Sequence, residues 1–112
     1  MVEHYLDTVG RARIATRSVA GGGHRQRSEE LKFFYTYVLL CSDSRLYIGH
    51  TKDLRVRLKE HRMGEVQATA YRLPVQLVYY EACLDLSLAK ARERQLKTGF
   101  GRAYLKRRLG LS

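Results

Sequence analysis

The sequence predicts a small α+β domain, a central three-stranded sheet flanked by helices in the order β-β-α-β-α-α. Three observations carry this prediction. Residues 33–41, FFYTYVLLC, are β-prone and apolar on both alternating faces, as in a strand covered on two sides. A short polar turn separates that run from a second one, the spacing of a hairpin. Further on, two stretches repeat apolar residues at helical spacing on either side of a third β-rich run.

The elements follow in order. Ser42-Asp43-Ser44 forms the turn and residues 45–49 the second strand. Thr51-Lys52-Asp53 opens a helix running to about Arg62, with either Thr51 or Asp53 as its cap. At ~100° per residue, Leu54, Arg57, Leu58 and His61 share one stripe, while Arg55, Lys59 and Arg62 face elsewhere. An arginine and a histidine thus sit on the inward, apolar side. Residues 63–73 read as a loop around Gly64, and Pro74 leads into a third strand over residues 75–81. Asp85 or Ser87 caps a second helix that ends at Gly99, an expected C-cap. Its buried stripe is expected to be Leu88, Ala89, Arg92 and Leu96, with Glu93 at the margin. A third helix covers about residues 102–109. The triple glycine at residues 21–23, set among polar residues, cannot build a core, so residues 1–30 are expected to be a disordered leader. The folded domain is expected to span residues 31–112.

Charge gives the first functional indication. The chain of 112 residues carries a net charge of +10, and it is unevenly distributed. Residues 1–31 hold five arginines against four acids, whereas residues 32–112 hold sixteen Lys and Arg against seven acids. The excess therefore belongs to the folded part. A compact basic domain concentrates polyanions and gains affinity by releasing their counterions. No strongly apolar helix face stands opposite the lysines, as a membrane-surface helix requires. Nucleic acid is the favoured partner, DNA ahead of RNA. Two cysteines, Cys41 and Cys83, are too few for a disulfide framework and are expected to be buried free thiols. No run approaches the ~20 apolar residues of a membrane span. Glu3 and Asp7 argue against a transit peptide, and the expected location is the cytoplasm.

The sequence has neither a phosphate-cradling P-loop nor a His-Glu-x-x-His pair. What remains is two tyrosines on paired strands, an Arg and a His one turn apart, and an isolated inward Glu. At these residues the chain resembles the GIY-YIG nucleases. Tyr35-Thr36-Tyr37 and, after nine residues, Tyr47-Ile48-Gly49 correspond to the two motifs that name the family. Lys52-Asp53-Leu54, Arg57 and His61 match its first helix; Thr69, Arg72 and Pro74 precede the third strand, and Arg92-Glu93-Arg94-Gln95-Leu96-Lys97 resembles the helix that bears its metal-binding glutamate. Tyr35-Thr36 replace the Gly-Ile of the first motif, but its tyrosine remains as Tyr37. The resemblance extends over residues 34 to about 108.

The resemblance implies an endonuclease that hydrolyses phosphodiester bonds with one divalent ion, Mg²⁺ or Mn²⁺. Tyr37 and Tyr47 would flank the nucleophilic water and the scissile phosphate, with either as general base. A phenol titrating near ~10 needs a neighbouring charge or base to act at neutral pH, and His61 would supply the relay. Arg57 would stabilise transition-state charge. Glu93 would ligate the metal, with Glu81 as the rival carboxylate. Lys52, Arg55, Lys59, Thr69, Arg72, Lys97, Arg102 and Lys106 would contact nucleic acid. Two other readings compete with this one: a module of the same fold that binds DNA or RNA without cutting, and a domain whose basic face meets acidic proteins.

Overall fold

The computed structural model describes residues 31–111, so the leader expected over residues 1–30 lies outside the described residues. The element order is β1 (Phe34–Leu40), β2 (Leu46–Thr51), α1 (Leu54–Arg62), β3 (Gln76–Cys83), α2 (Leu86–Leu96) and α3 (Gly99–Leu109). This is the expected β-β-α-β-α-α arrangement. The three strands form one antiparallel sheet in the order β2-β1-β3.

Strand β1 is buried on both faces because apolar layers lie on both sides of it. On one face, Tyr35, Tyr37 and Leu39 pack with Leu54 and Leu58 of α1. On the other, Val38 and Ile48 pack with Leu96 of α2 and Leu105 of α3. The strand period of two sorts alternate side chains between these layers. The β1–β2 ladder runs without interruption from Tyr35↔Thr51 to Leu40↔Leu46, while the β1–β3 ladder is irregular at Val38/Leu39.

Caps fix the helix starts. Asp53 accepts from the Val56 amide, Asp85 from Ser87 and Thr98 from Gly101. Two expectations change here. Gly99 does not cap α2: Lys97 ends that helix, and Gly99 is the first residue of α3. Gly101 allows α3 to approach the end of α2, since a Cβ there would collide with the backbone of Gln95 and Leu96. Leu88 is not in a buried stripe but 60% exposed; α2 packs through Ala89 and Leu96, and Arg92 is only half-buried. Cys41 is buried and Cys83 partly so, both unpaired. Among the described residues, no helix is long and apolar enough to cross a membrane.

Candidate active site

Strand parity and helix spacing bring four of the expected residues together on the α1 side of the sheet. Tyr37 lies opposite Gly49, and Tyr47 is two residues further along the same face of β2. Arg57 and His61 descend from α1, one turn apart. The rings of Tyr37 and His61 are 5.6 Å apart, those of Tyr47 and His61 5.1 Å, and those of the two tyrosines 6.3 Å. Tyr37 leans across Gly49 so closely that a Cβ there would fall 2.6 Å from its Oη. The glycine of the second motif is therefore required by close approach.

A buried hydrogen-bonded chain runs through this cluster. Tyr37 Oη is 2.7 Å from His61 Nε2, and His61 Nδ1 is 2.7 Å from Thr69 Oγ1. Thr69 Oγ1 finds an acceptor in the Val66 carbonyl at 3.5 Å, so it accepts from His61 Nδ1–H. Nε2 is then left to accept from the Tyr37 hydroxyl. All three residues are 0% exposed. Burial, reinforced by the positive charge of Arg57, pulls the His61 imidazole down to about 4, so it is neutral at pH 7. Burial likewise pushes the Tyr37 phenol up to about 12, partly opposed by the Arg57 guanidinium beside it. Arg57 is held from its other side by Glu60, with Nη1 donating to Oε1 at 2.9 Å. Tyr47 is half-buried and is the phenol of the pair that reaches the surface.

Glu93 lies in the other layer. It projects from α2 toward β2, where His50 Nδ1 donates to Oε1 at 2.6 Å and Lys97 Nζ donates to Oε2 at 2.6 Å. Desolvation works against its charge, but these two hydrogen bonds hold the carboxyl below its ordinary range. It is therefore a carboxylate at neutral pH, and its charge is close enough to raise Tyr37. Each oxygen keeps a further lone pair for a hard cation. Glu81, by contrast, is on β3 at the far side of the sheet, accepting from Arg92 Nε at 2.7 Å and from the Tyr79 hydroxyl at 2.9 Å. A carboxylate so placed is separated from Tyr47 on β2 by the whole width of β1.

The residues expected to touch nucleic acid divide into groups. Lys52, Arg55 and Lys59 are exposed at the start and along the outer side of α1. Arg72, Arg102 and Lys106 line a separate concavity. Lys97 is tied to Glu93. Thr69 is a correction: sealed in the interior against His61, it cannot reach nucleic acid. Sequence reasoning also missed His50. Its position is odd in strand parity relative to Tyr47, which put it on the α2 face, and that parity was the available signal.

Comparison with known proteins agrees with this geometry. The chain matches the GIY-YIG catalytic domain family over residues 33–107. It is 42% identical to a UPF0213 protein of Haloquadratum walsbyi over 67 residues, covering 59% of this chain and 75% of that one. It is 45% identical to a UPF0213 protein of Streptococcus pyogenes serotype M5 over 64 residues, covering 56% and 70% respectively. No solved structure matches it. The match over residues 33–107, with the two motif strands paired in one ladder, makes the chain a member of the GIY-YIG family of nuclease-type domains.

Proposed function

We propose that the protein is a divalent-metal-dependent endonuclease that hydrolyses phosphodiester bonds in nucleic acid, with DNA as its substrate. The observation that carries this is the buried bond from the Tyr37 hydroxyl to a neutral His61 Nε2. The bond satisfies the buried hydroxyl, as any buried tyrosine requires, and its acceptor is a base that can take the proton a general base must pass on. A water admitted beside the partly exposed Arg57 reaches the buried Tyr37 Oη, which takes its proton as the tyrosine's own proton passes to Nε2. An anionic phosphodiester arriving at Arg57 favours the imidazolium, raising the acceptor from its depressed resting value. Arg57 holds a phosphate oxygen and stabilises the charge that develops there. Tyr47, on the open side, orients the phosphate. Thr69 keeps His61 in the tautomer that accepts.

Glu93 would hold Mg²⁺ or Mn²⁺. Among the described residues no cluster of three or more His, Cys, Asp or Glu gathers around it. A lone carboxylate suits hard ions that keep several waters and take other ligands from substrate phosphates. Such an ion supplies Lewis acidity at the phosphoryl group. His50 and Lys97 keep Glu93 ionised and aimed.

The test is a panel of single-stranded, duplex and branched DNA and RNA, incubated with Mg²⁺ or Mn²⁺ and the wild type, Glu93→Gln or Glu81→Gln. The expected result is cleavage by the wild type and Glu81→Gln, with Glu93→Gln folded, binding and inactive. Normal cutting by Glu93→Gln would remove Glu93 from the metal site. A second reading, a binding module that does not cut, draws on the engagement of both Glu93 oxygens by His50 and Lys97. Salt-sensitive binding without cleavage of any substrate would favour it.

A further inference from the structure

A concavity of about 940 Å³ opens between the β1–β2 turn and α3, away from the tyrosine cluster. Four cations converge on it from three separate segments: Arg45 in the turn, Arg72 before β3, and Arg102 and Lys106 on α3. One carboxylate, Asp43, opposes them and is already paired with Arg72 at 2.8 Å. Among the described residues, the Arg45 guanidinium and the Lys106 ammonium make no hydrogen bond or close ion pair. Arg102 donates only its Nε, to the Lys97 carbonyl at 3.2 Å. Gathering like charges in a hollow costs Coulomb energy that a polyanion would reverse.

The floor is of the opposite character. Leu40, Leu46 and Leu111 line it, and no aromatic ring does. Cations around an apolar floor suit a phosphate with its sugar and base. The volume lies within the ~300–1,000 Å³ of small-ligand sites, too small for a duplex but suited to one or two nucleotides. Position adds a third constraint. Leu46 lines the hollow and Tyr47 is its chain neighbour in β2. From Leu46 to Gly49, opposite Tyr37, is three strand steps, about 10 Å at ~3.3 Å each. Leu46 packs on the α2–α3 side and Tyr47 on the α1 side, so a single strand running from the hollow to the tyrosines rounds the hairpin end of the sheet over a short stretch.

We propose that this hollow holds unpaired nucleotides of the cleaved strand, a short way along from the scissile phosphate, so that the preferred substrate is single-stranded on that side of the cut. The substrate class rests on the nuclease reading above; the hollow's affinity for a single strand does not. The absence of an aromatic platform implies recognition through backbone and shape, with little base preference.

The experiment measures fluorescence anisotropy of a labelled short oligothymidylate and of a matched duplex against salt, using the full chain. The proteins are the wild type, Arg102→Glu/Lys106→Glu and Arg45→Glu. In the double variant, oligothymidylate binding should weaken roughly ten-fold or more, and the salt slope should fall by about 1.4, at ~0.7 per single-strand phosphate contact. Arg45→Glu tests the opposite wall, so a loss in both variants is not a disturbance of α3 alone; circular dichroism and the melting temperature check folding. Unchanged oligothymidylate binding and slope in both variants overturns the proposal. Equal losses for oligothymidylate and duplex also overturn it, because the hollow would then be a general basic surface. With metal, the wild type should cut a duplex carrying a single-stranded flank faster than a continuous one, and the double variant should lose that preference. If the wild type cuts nothing while the binding losses appear, the nuclease reading fails and the hollow's ligand stands. If it cuts with no preference and no binding loss appears, the reverse holds.

Discussion

Gly49→Ala tests the geometry on which the proposed chemistry depends. The new methyl would begin 2.6 Å from Tyr37 Oη, 2.8 Å from Cζ and 3.1 Å from Cε1, where ordinary contact starts at 3.4 Å. Relief therefore requires Oη to move by about 0.8 Å, the difference between 3.4 and 2.6 Å. The ring is fully buried and cannot swing into solvent. Moving away from β2 would stretch the 2.7 Å bond to His61 toward about 3.5 Å, beyond useful hydrogen bonding. Overpacking costs ~1–3 kcal/mol, and a lost buried hydrogen bond adds ~1 kcal/mol. Alanine's smaller loss of backbone entropy returns ~0.5–1 kcal/mol. The net loss is about 2 kcal/mol, or roughly 10 °C in melting temperature for a domain of this size. Urea denaturation of Gly49→Ala in wild-type, Tyr37→Phe and Tyr37→Ala backgrounds separates the causes. Tyr37→Phe removes Oη but leaves Cζ in the way, so the penalty should shrink only partly. Tyr37→Ala removes the ring, and the penalty should vanish or reverse. An equal penalty in all three backgrounds would refute the reasoning, because the methyl would then be clashing with something other than Tyr37.

Two further perturbations probe the buried chain. Thr69→Val keeps the shape but leaves His61 Nδ1–H without its acceptor; it should cost ~1–3 kcal/mol and lower cleavage at saturating substrate, with Thr69→Ser restoring most of both. Wild-type stability and turnover in Thr69→Val would show that His61 holds its tautomer unaided. His61 also predicts a pH dependence. The unfolded chain binds a proton on it below 6.5, while the folded protein resists until about 4. Stability is therefore full above 6.5 and falls as pH drops toward 4, by at most ~3.4 kcal/mol. His61→Gln should flatten that segment of the stability–pH curve; parallel curves for the two proteins would assign the loss to other groups.

What the sequence reveals depends on how far apart the cooperating residues lie. The β1–β2 hairpin and the stripe holding Leu54, Leu58 and His61 are legible because each is set by a local period, two in the strands and 3.6 in the helix. Gly49 is legible as a site of close approach from its place in the second motif. Thr69 misleads because a loop threonine reads as surface, and only the fold shows that its loop covers His61. His50 is silent for a related reason. Its partner Glu93 is 43 residues away on another element, and nothing local marks a strand histidine as a carboxylate's anchor. Leu88 misleads through composition: next to Ala89 it reads as core, but α2 docks through the smaller alanine and turns the leucine outward.

The register of β2 decides whether these parts can act together. Tyr47 and Gly49 face the α1 layer while His50 faces α2, so the phenols and Glu93 approach one another only around the outer edge of β2. At that edge Gly49 contributes no side chain, and Tyr37 fills the space over it. A one-residue slip would send Tyr47 into the α2 layer and turn His50 away from Glu93. It would also bring a side chain of ordinary size against the Tyr37 ring. Among the described residues, the sheet's irregularity at Val38/Leu39 falls in the β1–β3 ladder. The β1–β2 ladder, which sets the Tyr37–Gly49 and Thr36–His50 pairs, is continuous. The strand pair that sets Tyr37 opposite Gly49 and Thr36 opposite His50 thus keeps its register.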